Sequence, residues 1–150
     1  MARGELAGEV TDGSSVAFEA DARIYFIERH ELFHSVVTPV FERVASGSIR
    51  GHASVLTLLE VLVGPLRDGV SGLADRYRQL LLRSRGFTLH SLDGPIAERA
   101  AAIRAQYDLR TPDSIVAATA LLSGCSHLIT NDSVFRRVPD LTVLVVREYL

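Results

Sequence analysis

Hydrophobic and polar positions along this chain change period several times, and each change marks an expected element. Residues 15–18 form a short apolar run of strand type. An apolar stretch from Ile24 to Ile27 opens a helix. Residues 33–45 then carry apolar side chains at 33, 36, 37, 40, 41 and 44, the spacing of one helix face. Pro39 is expected to kink or break that helix, and Gly47 to stop it. His52-Ala53 makes at most a brief strand, and Ser54 is a good N-cap for a helix over 55–63 that Gly64-Pro65 ends. An amphipathic helix follows over 68–85, with Arg on its wet face. Residues 87–92 alternate like a strand, and Asp93 caps a helix over 96–107. Thr111 caps a helix that begins at Pro112, where proline is well placed. Strands are predicted over 127–130 and 141–146.

Strands alternating with helices predict an α/β fold, a three-layer α/β/α sandwich around a mostly parallel sheet. Residues 1–13 are polar and Gly-rich and read as a loose N-terminal arm, leaving 14–150 as one domain. A chain of 150 residues suits a single core. There are no repeats, linkers or low-complexity tracts. No apolar run approaches the ~20 residues that span a bilayer, so no membrane partner is expected. Cys125 is the only cysteine. No intrachain disulfide can form, which fits a reducing cytoplasmic setting. Cys125 reads as a packing residue. The net charge of −2 gives no global basic field. All 16 basic residues are Arg, which suits bidentate phosphate contacts or reflects codon usage.

Charge placement changes the picture more than charge total. Glu19 ends the first apolar run, Glu60 stands alone in an apolar helix, Asp113 lies in a first helical turn, and Asp132 follows a strand. In open α/β sheets ligands sit beyond the carboxyl ends of the strands, where Glu19 and Asp132 are expected. The helix around Glu60 is apolar nearly all round, which predicts burial. Taken singly, each acid has a bland reading: an ion pair, a first-turn charge, a turn residue. Together they form an oxygen-only set of the kind that Mg²⁺ or Mn²⁺ binds. Like charges this close repel, a cation relieves the repulsion, and the natural reaction is phosphodiester hydrolysis. Ser54, Ser114, Thr130 and Asn131 are candidates for supporting hydrogen bonds. Arg23, Arg29 and Arg110 lie near the acidic edge as weak candidates for RNA phosphate contacts.

Four stretches carry a family resemblance: residues 16–28, 54–62, 109–120 with Thr111-Pro112-Asp113-Ser114, and 128–135 with Thr130-Asn131-Asp132. In this order they resemble the PIN domain, especially the VapC-type toxins of bacterial toxin–antitoxin pairs. The resemblance covers most of the chain from Val16 onward. It implies a PIN-like α/β/α sandwich and a divalent-metal ribonuclease cutting RNA. It also implies a cognate antitoxin partner and a homodimer. Glu60, Asp113 and Asp132 become metal-site acids, with Ser54 and Thr130 or Asn131 in support.

This chain departs from the family at Glu19, where Asp is usual. The extra carbon extends the carboxyl by up to ~1.5 Å. Either Glu19 still binds metal, or Asp21 fills the position, or the site is weakened and the protein is a binding module acting through a partner. A competing pattern, His30-Glu31-Leu32-Phe33-His34, matches the zinc-protease H-E-x-x-H, with Glu60 as the one attractive third ligand. It leaves Asp113 and Asp132 unexplained and reads as a chance match.

Overall fold

In a computed structural model, which describes residues 4–150, all five strands are parallel and lie in the order β3-β2-β1-β4-β5. The strands are β1 (Ser15–Phe18), β2 (Arg50–Ser54), β3 (Phe87–His90), β4 (His127–Thr130) and β5 (Val143–Val145). Every residue of β1 is buried, as expected of a central strand covered on both faces. The helices are α1 (Ala20–Ile27), α2 (His34–Ala45), α3 (Val55–Asp68), α4 (Ser71–Arg78), α5 (Gly94–Tyr107) and α6 (Thr111–Leu122).

Side-chain alternation sorts the core into layers. Val16 and Phe18 of β1 and Ile129 of β4 pack with α1 and α2, while Ala17 and Leu128 pack with α5 and α6. A third cluster, including Ala20, Val61 and Tyr77, joins α1, α3 and α4. The α/β/α sandwich expected from the sequence is therefore present. Residues 113–120 of α6 are all buried, which explains their small side chains. Gly51 pairs with Phe87 across β2 and β3, and a Cβ at Gly51 would lie 2.4 Å from the Phe87 ring. The bare backbone lets Phe87 swing over β2 towards Phe18, with ring centroids 5.5 Å apart.

Several boundaries differ from expectation. The helix after Ser54 runs through Pro65 to Asp68 and ends at Gly69, which is left-handed with φ 69°. Pro65 is buried, so tertiary packing holds a residue that removes a helical N–H. The single helix expected over 68–85 is broken there, and α4 continues into a π-helical turn over Gln79–Arg83. β2 is longer than the expected His52-Ala53, because its flanks gain ladder partners on both sides. Thr111 is the first residue of α6, with Arg110 in the cap position.

Two corrections bear on the site. The arm expected to be loose is docked over its described residues, with Met1–Arg3 outside them. Leu6, Ala7 and Val10 are buried, and Arg43 donates to the carbonyls of Ala7 (2.6 Å) and Val10 (2.7 Å). The α3 helix is not buried all round. Leu59, Val63 and Leu66 are 60%, 42% and 59% exposed, so Glu60 rides an open helix face. Among the described residues no helix is long and apolar enough to cross a membrane.

Leu6 is 1% exposed inside the α1–α2 layer. Leu6→Ala is expected to cost about 2–5 kcal/mol, the usual range for a leucine removed from a packed core. A lowered urea midpoint at unchanged m checks it; an unchanged midpoint would mean the arm contributes nothing to stability.

Candidate metal and nucleic-acid site

The carboxyl ends of β1 and β4 meet at the point where the sheet order reverses, the usual place for a ligand in such folds. Glu19 leaves β1 in extended conformation and occupies the N-cap position of α1, and its backbone N–H donates to Ile129 O at 3.0 Å. Asp21 lies in the first turn of α1, a favourable place for an acid. Its Oδ1 accepts from Ala22 N at 2.7 Å and its Oδ2 from Asn131 N at 2.6 Å. Thr130, the last residue of β4, is fully buried. Its hydroxyl is 3.3 Å from Asp21 Oδ2 and 3.4 Å from Glu19 Oε2, and it accepts from Asp132 N at 3.0 Å. One hydroxyl proton serves one carboxylate at a time, so Thr130 can follow whichever acid is charged.

Glu60 comes from α3 and Asp113 from the first turn of α6. Ser54 caps α3, accepting from Leu56 N at 3.2 Å, which fixes where Glu60 emerges. Asp113 is buried and paired with the exposed Arg110, Nε to Oδ2 at 3.1 Å. Asp132 is exposed, and its Oδ1 accepts from Val134 N at 3.0 Å, so it also serves as a local cap. Ser114 hydrogen-bonds back to Arg110 O at 2.9 Å, within its own helix turn.

Electrostatics tie these groups together. Burial first, then the charges of Asp21 and Glu60, push the Glu19 pKa up to about 8. Burial raises Asp21, while the N–H groups of Asn131 and Ala22 work against the rise. Glu60 is exposed as a residue, yet partial burial of its carboxyl raises its pKa; Asp113 adds to the rise and Arg110 opposes it. Asp113, Asp132 and Glu60 all favour the charged form of Arg110. Glu19, Asp21, Glu60, Asp113 and Asp132 thus share one connected field. They are not gathered around a point: among the described residues no three His, Cys, Asp or Glu side chains form a ready-made metal cage.

The arginines separate. Arg23 is fully buried and cannot reach RNA, which corrects its sequence-based role. Its guanidinium lies 5.1 Å from the Phe18 ring centroid and 4.9 Å from that of Phe87, and its Nε and Nη2 have no hydrogen-bond partner. Burial pushes its pKa down to about 9, against the pull of Glu19. Arg29 is exposed, with a left-handed φ of 52°. Arg110 is exposed and bound to Asp113.

The H-E-x-x-H stretch does not form a zinc site. His30 precedes α2 rather than lying on it, and its Nδ1 accepts from Leu32 N (3.1 Å) and Phe33 N (3.2 Å). His34 instead faces the Phe26 ring in parallel. Cys125 is half-buried, with its pKa raised to about 11 by burial, so it is a poor nucleophile.

Tyr25 and Arg147 were not anticipated. Asn131 Nδ2 donates to Tyr25 Oη at 3.2 Å, and Arg147 N donates to Asn131 Oδ1 at 2.9 Å. Arg147 Nη1 also reaches Asn131 O at 2.8 Å. Tyr25 was detectable as the residue four positions after Asp21, hence on the same helix face. Arg147 had no local signal.

A family model for the PIN domain matches residues 19–141. Among solved structures, a toxin–antitoxin complex from Klebsiella pneumoniae is 26% identical, with a TM-score of 0.67 over 86% of this chain and 95% of that one. VapBC2 from Rickettsia felis, bound to a DNA fragment from its promoter, is 15% identical, with a TM-score of 0.68 over 87% and 97%. FitAcB from Neisseria gonorrhoeae is 21% identical, with a TM-score of 0.62 over 86% and 96%. No curated protein matches.

An unfolded Glu ionises near the ordinary 4.5, whereas folded Glu19 holds its proton to about 8. The unfolded chain releases that proton first, so this residue's contribution to stability falls as pH rises across that window. Glu19→Gln is expected to raise the thermal midpoint at pH 8 in EDTA and to leave it unchanged near pH 4. Equal midpoints at pH 8 would show that Glu19 is not under this strain.

Proposed function

The chain belongs to the PIN domain family, and from that premise we propose that it is a Mg²⁺- or Mn²⁺-dependent endoribonuclease, the toxin of a toxin–antitoxin pair. The observation that carries this reading is the row of acids at the β1–β4 edge sharing one field, with Glu19 raised to about 8 and, among the described residues, Arg110 ion-paired to the row from outside through Asp113. Acids buried side by side are costly unless a cation joins them.

The donor set fits such a cation. It is oxygen-only, and Mg²⁺ keeps several waters and takes only one or two direct carboxylates, so a wide acidic edge without a closed cage suffices. Asp113, Glu60, Asp132 and Glu19 or Asp21 would hold it. When bound, the cation neutralises charge on the phosphoryl group and activates the attacking water. Thr130 orients Glu19 and Asp21, and Asn131 holds Asp21 in place through its backbone N–H. Arg110 is placed to exchange Asp113 for a substrate phosphate. Water attacks phosphorus in line and gives a proton to a carboxylate of the edge, while the bond to the leaving ribose oxygen breaks and that oxygen takes a proton from solvent. That structural neighbours are toxin–antitoxin complexes supports an antitoxin partner, and we extend the reading to a homodimer working in the cytoplasm on RNA.

A second reading, a weakened PIN-like module acting through its partner, is favoured by one feature: the first acid is Glu19, and it holds its proton near neutral pH. Under that reading Glu19→Asp gives a large gain in cleavage, or else neither form cleaves while partner binding stays tight.

The decisive assay is cleavage of a panel of structured RNAs by antitoxin-free protein in EDTA, Mg²⁺ or Mn²⁺. Metal-dependent cleavage is expected, and Asp113→Asn should reduce it by about 100-fold or more, the scale of losing several kcal/mol of charge stabilisation. Cleavage unchanged in Asp113→Asn would remove that residue from the mechanism. No cleavage by the folded parent under any metal would overturn the enzyme reading.

A further inference from the structure

Three half-buried rings stand together at the corner between α1 and α2, outside the set of acids. Tyr25 lies 4.9 Å from both His30 and Phe33 between ring centroids, and His30 lies 4.8 Å from Phe33 with the two planes only 18° apart. We propose that Tyr25, His30 and Phe33 form a stacking subsite for an unpaired base of single-stranded RNA, next to the acidic edge. The proposal rests on the ribonuclease reading and adds to it how the substrate is gripped.

Position is the first argument. Tyr25 Oη accepts from Asn131 Nδ2 at 3.2 Å, and Asn131 N donates to Asp21 at 2.6 Å, so two hydrogen-bonded steps separate the rings from an acid of the site. A nucleotide whose phosphate sits at the acids has a base within reach of this corner.

Construction is the second. Arg29 adopts a left-handed conformation that non-glycine residues avoid, at φ 52°. That turn reverses the chain just after α1 and brings His30 and Phe33 back onto Tyr25. His30 Nδ1 accepts two backbone N–H groups, so in the neutral ring the proton sits on Nε2, leaving a donor. Such a donor suits the carbonyl or ring nitrogen of a base.

Surroundings are the third. Leu32, between the two rings in sequence, is 57% exposed and adds apolar surface, while exposed Arg29 and Arg147 supply positive charge. Aromatic rings beside arginines are how proteins hold single-stranded nucleic acid, since every base has a π-face.

Binding of a short unstructured fluorescent RNA, measured in EDTA by anisotropy at fixed salt, tests the subsite. His30→Ala should weaken it by ~5- to 150-fold, the range for losing a base–aromatic contact, with a small fall in thermal midpoint because His30 Nδ1 accepts two backbone N–H groups. Phe33→Ala is the second variant if that fall is large. A series of RNAs with one abasic position each keeps every phosphate. At one position the abasic change should weaken the parent protein and leave His30→Ala unaffected. In the cleavage assay with Mn²⁺, KM should rise while kcat is retained. Equal binding of intact and abasic RNAs at every position, or unchanged affinity and KM in both variants, would overturn the subsite while leaving the nuclease intact. A parent protein that neither binds nor cleaves RNA would overturn both readings.

Discussion

The backbone N–H of Glu19 donates to Ile129 O at 3.0 Å, so the β1–β4 ladder continues one step past the end of β1. Helix α1 begins on the very next residue. That one bond holds the turn from strand to helix against the end of β4, where Thr130 and Asn131 take hold of Asp21. A one-residue slip in this ladder would turn Phe18 out of the aromatic layer and swing Glu19 away from Thr130. The register is secured from both sides, because Val16 and Phe18 fill one layer while Ala17 fills the other.

Rigid placement is what allows the acids to remain uncomfortable. An exposed Glu19 could relax into water; here the strand end and the helix start hold it among like charges. Arg23 feels the pull of Glu19 from within the core, held between Phe18 and Phe87. Arg110 answers from outside, on Asp113. One cation is thus locked in the core, and the other is free to move with what binds. Perturbed acids on a fixed scaffold are what a site for a charged ligand requires.

The sequence made some of this legible and hid the rest for identifiable reasons. β1 and β4 were readable because short apolar runs end abruptly at polar residues. Asp93 was readable as a cap and does accept from Ile96 N at 2.9 Å. Pro65 misled because proline is read as a local stop, whereas its burial overrides that local signal. The 1–13 arm misled, over its described part, because Gly4, Gly8 and Gly13 suggested a loose segment; Arg43, some thirty residues on, supplies the donors that dock it. Glu60 was expected beside the other acids on a buried helix; its carboxyl does feel Asp113 and Asp21, but its helix face is open. Arg23 looked like surface charge because nothing in its helix announces that Phe18 and Phe87 will enclose it. Arg147 touches the site through Asn131, a contact that exists only after the sheet forms.

The strand order has a consequence in time. β1 is made early yet lies at the centre of the sheet, so it waits for β4, more than a hundred residues later, to cover its second edge. The acids obey the same schedule: Glu19 and Asp21 emerge long before Asp113 and Asp132. A parallel sheet offers no hairpin shortcut, and such distant pairings form slowly. A chain still on the ribosome, short of β4, therefore has its first acids without their partners. Under the toxin reading, synthesis itself is a safeguard, because the activity arrives only with the last quarter of the molecule.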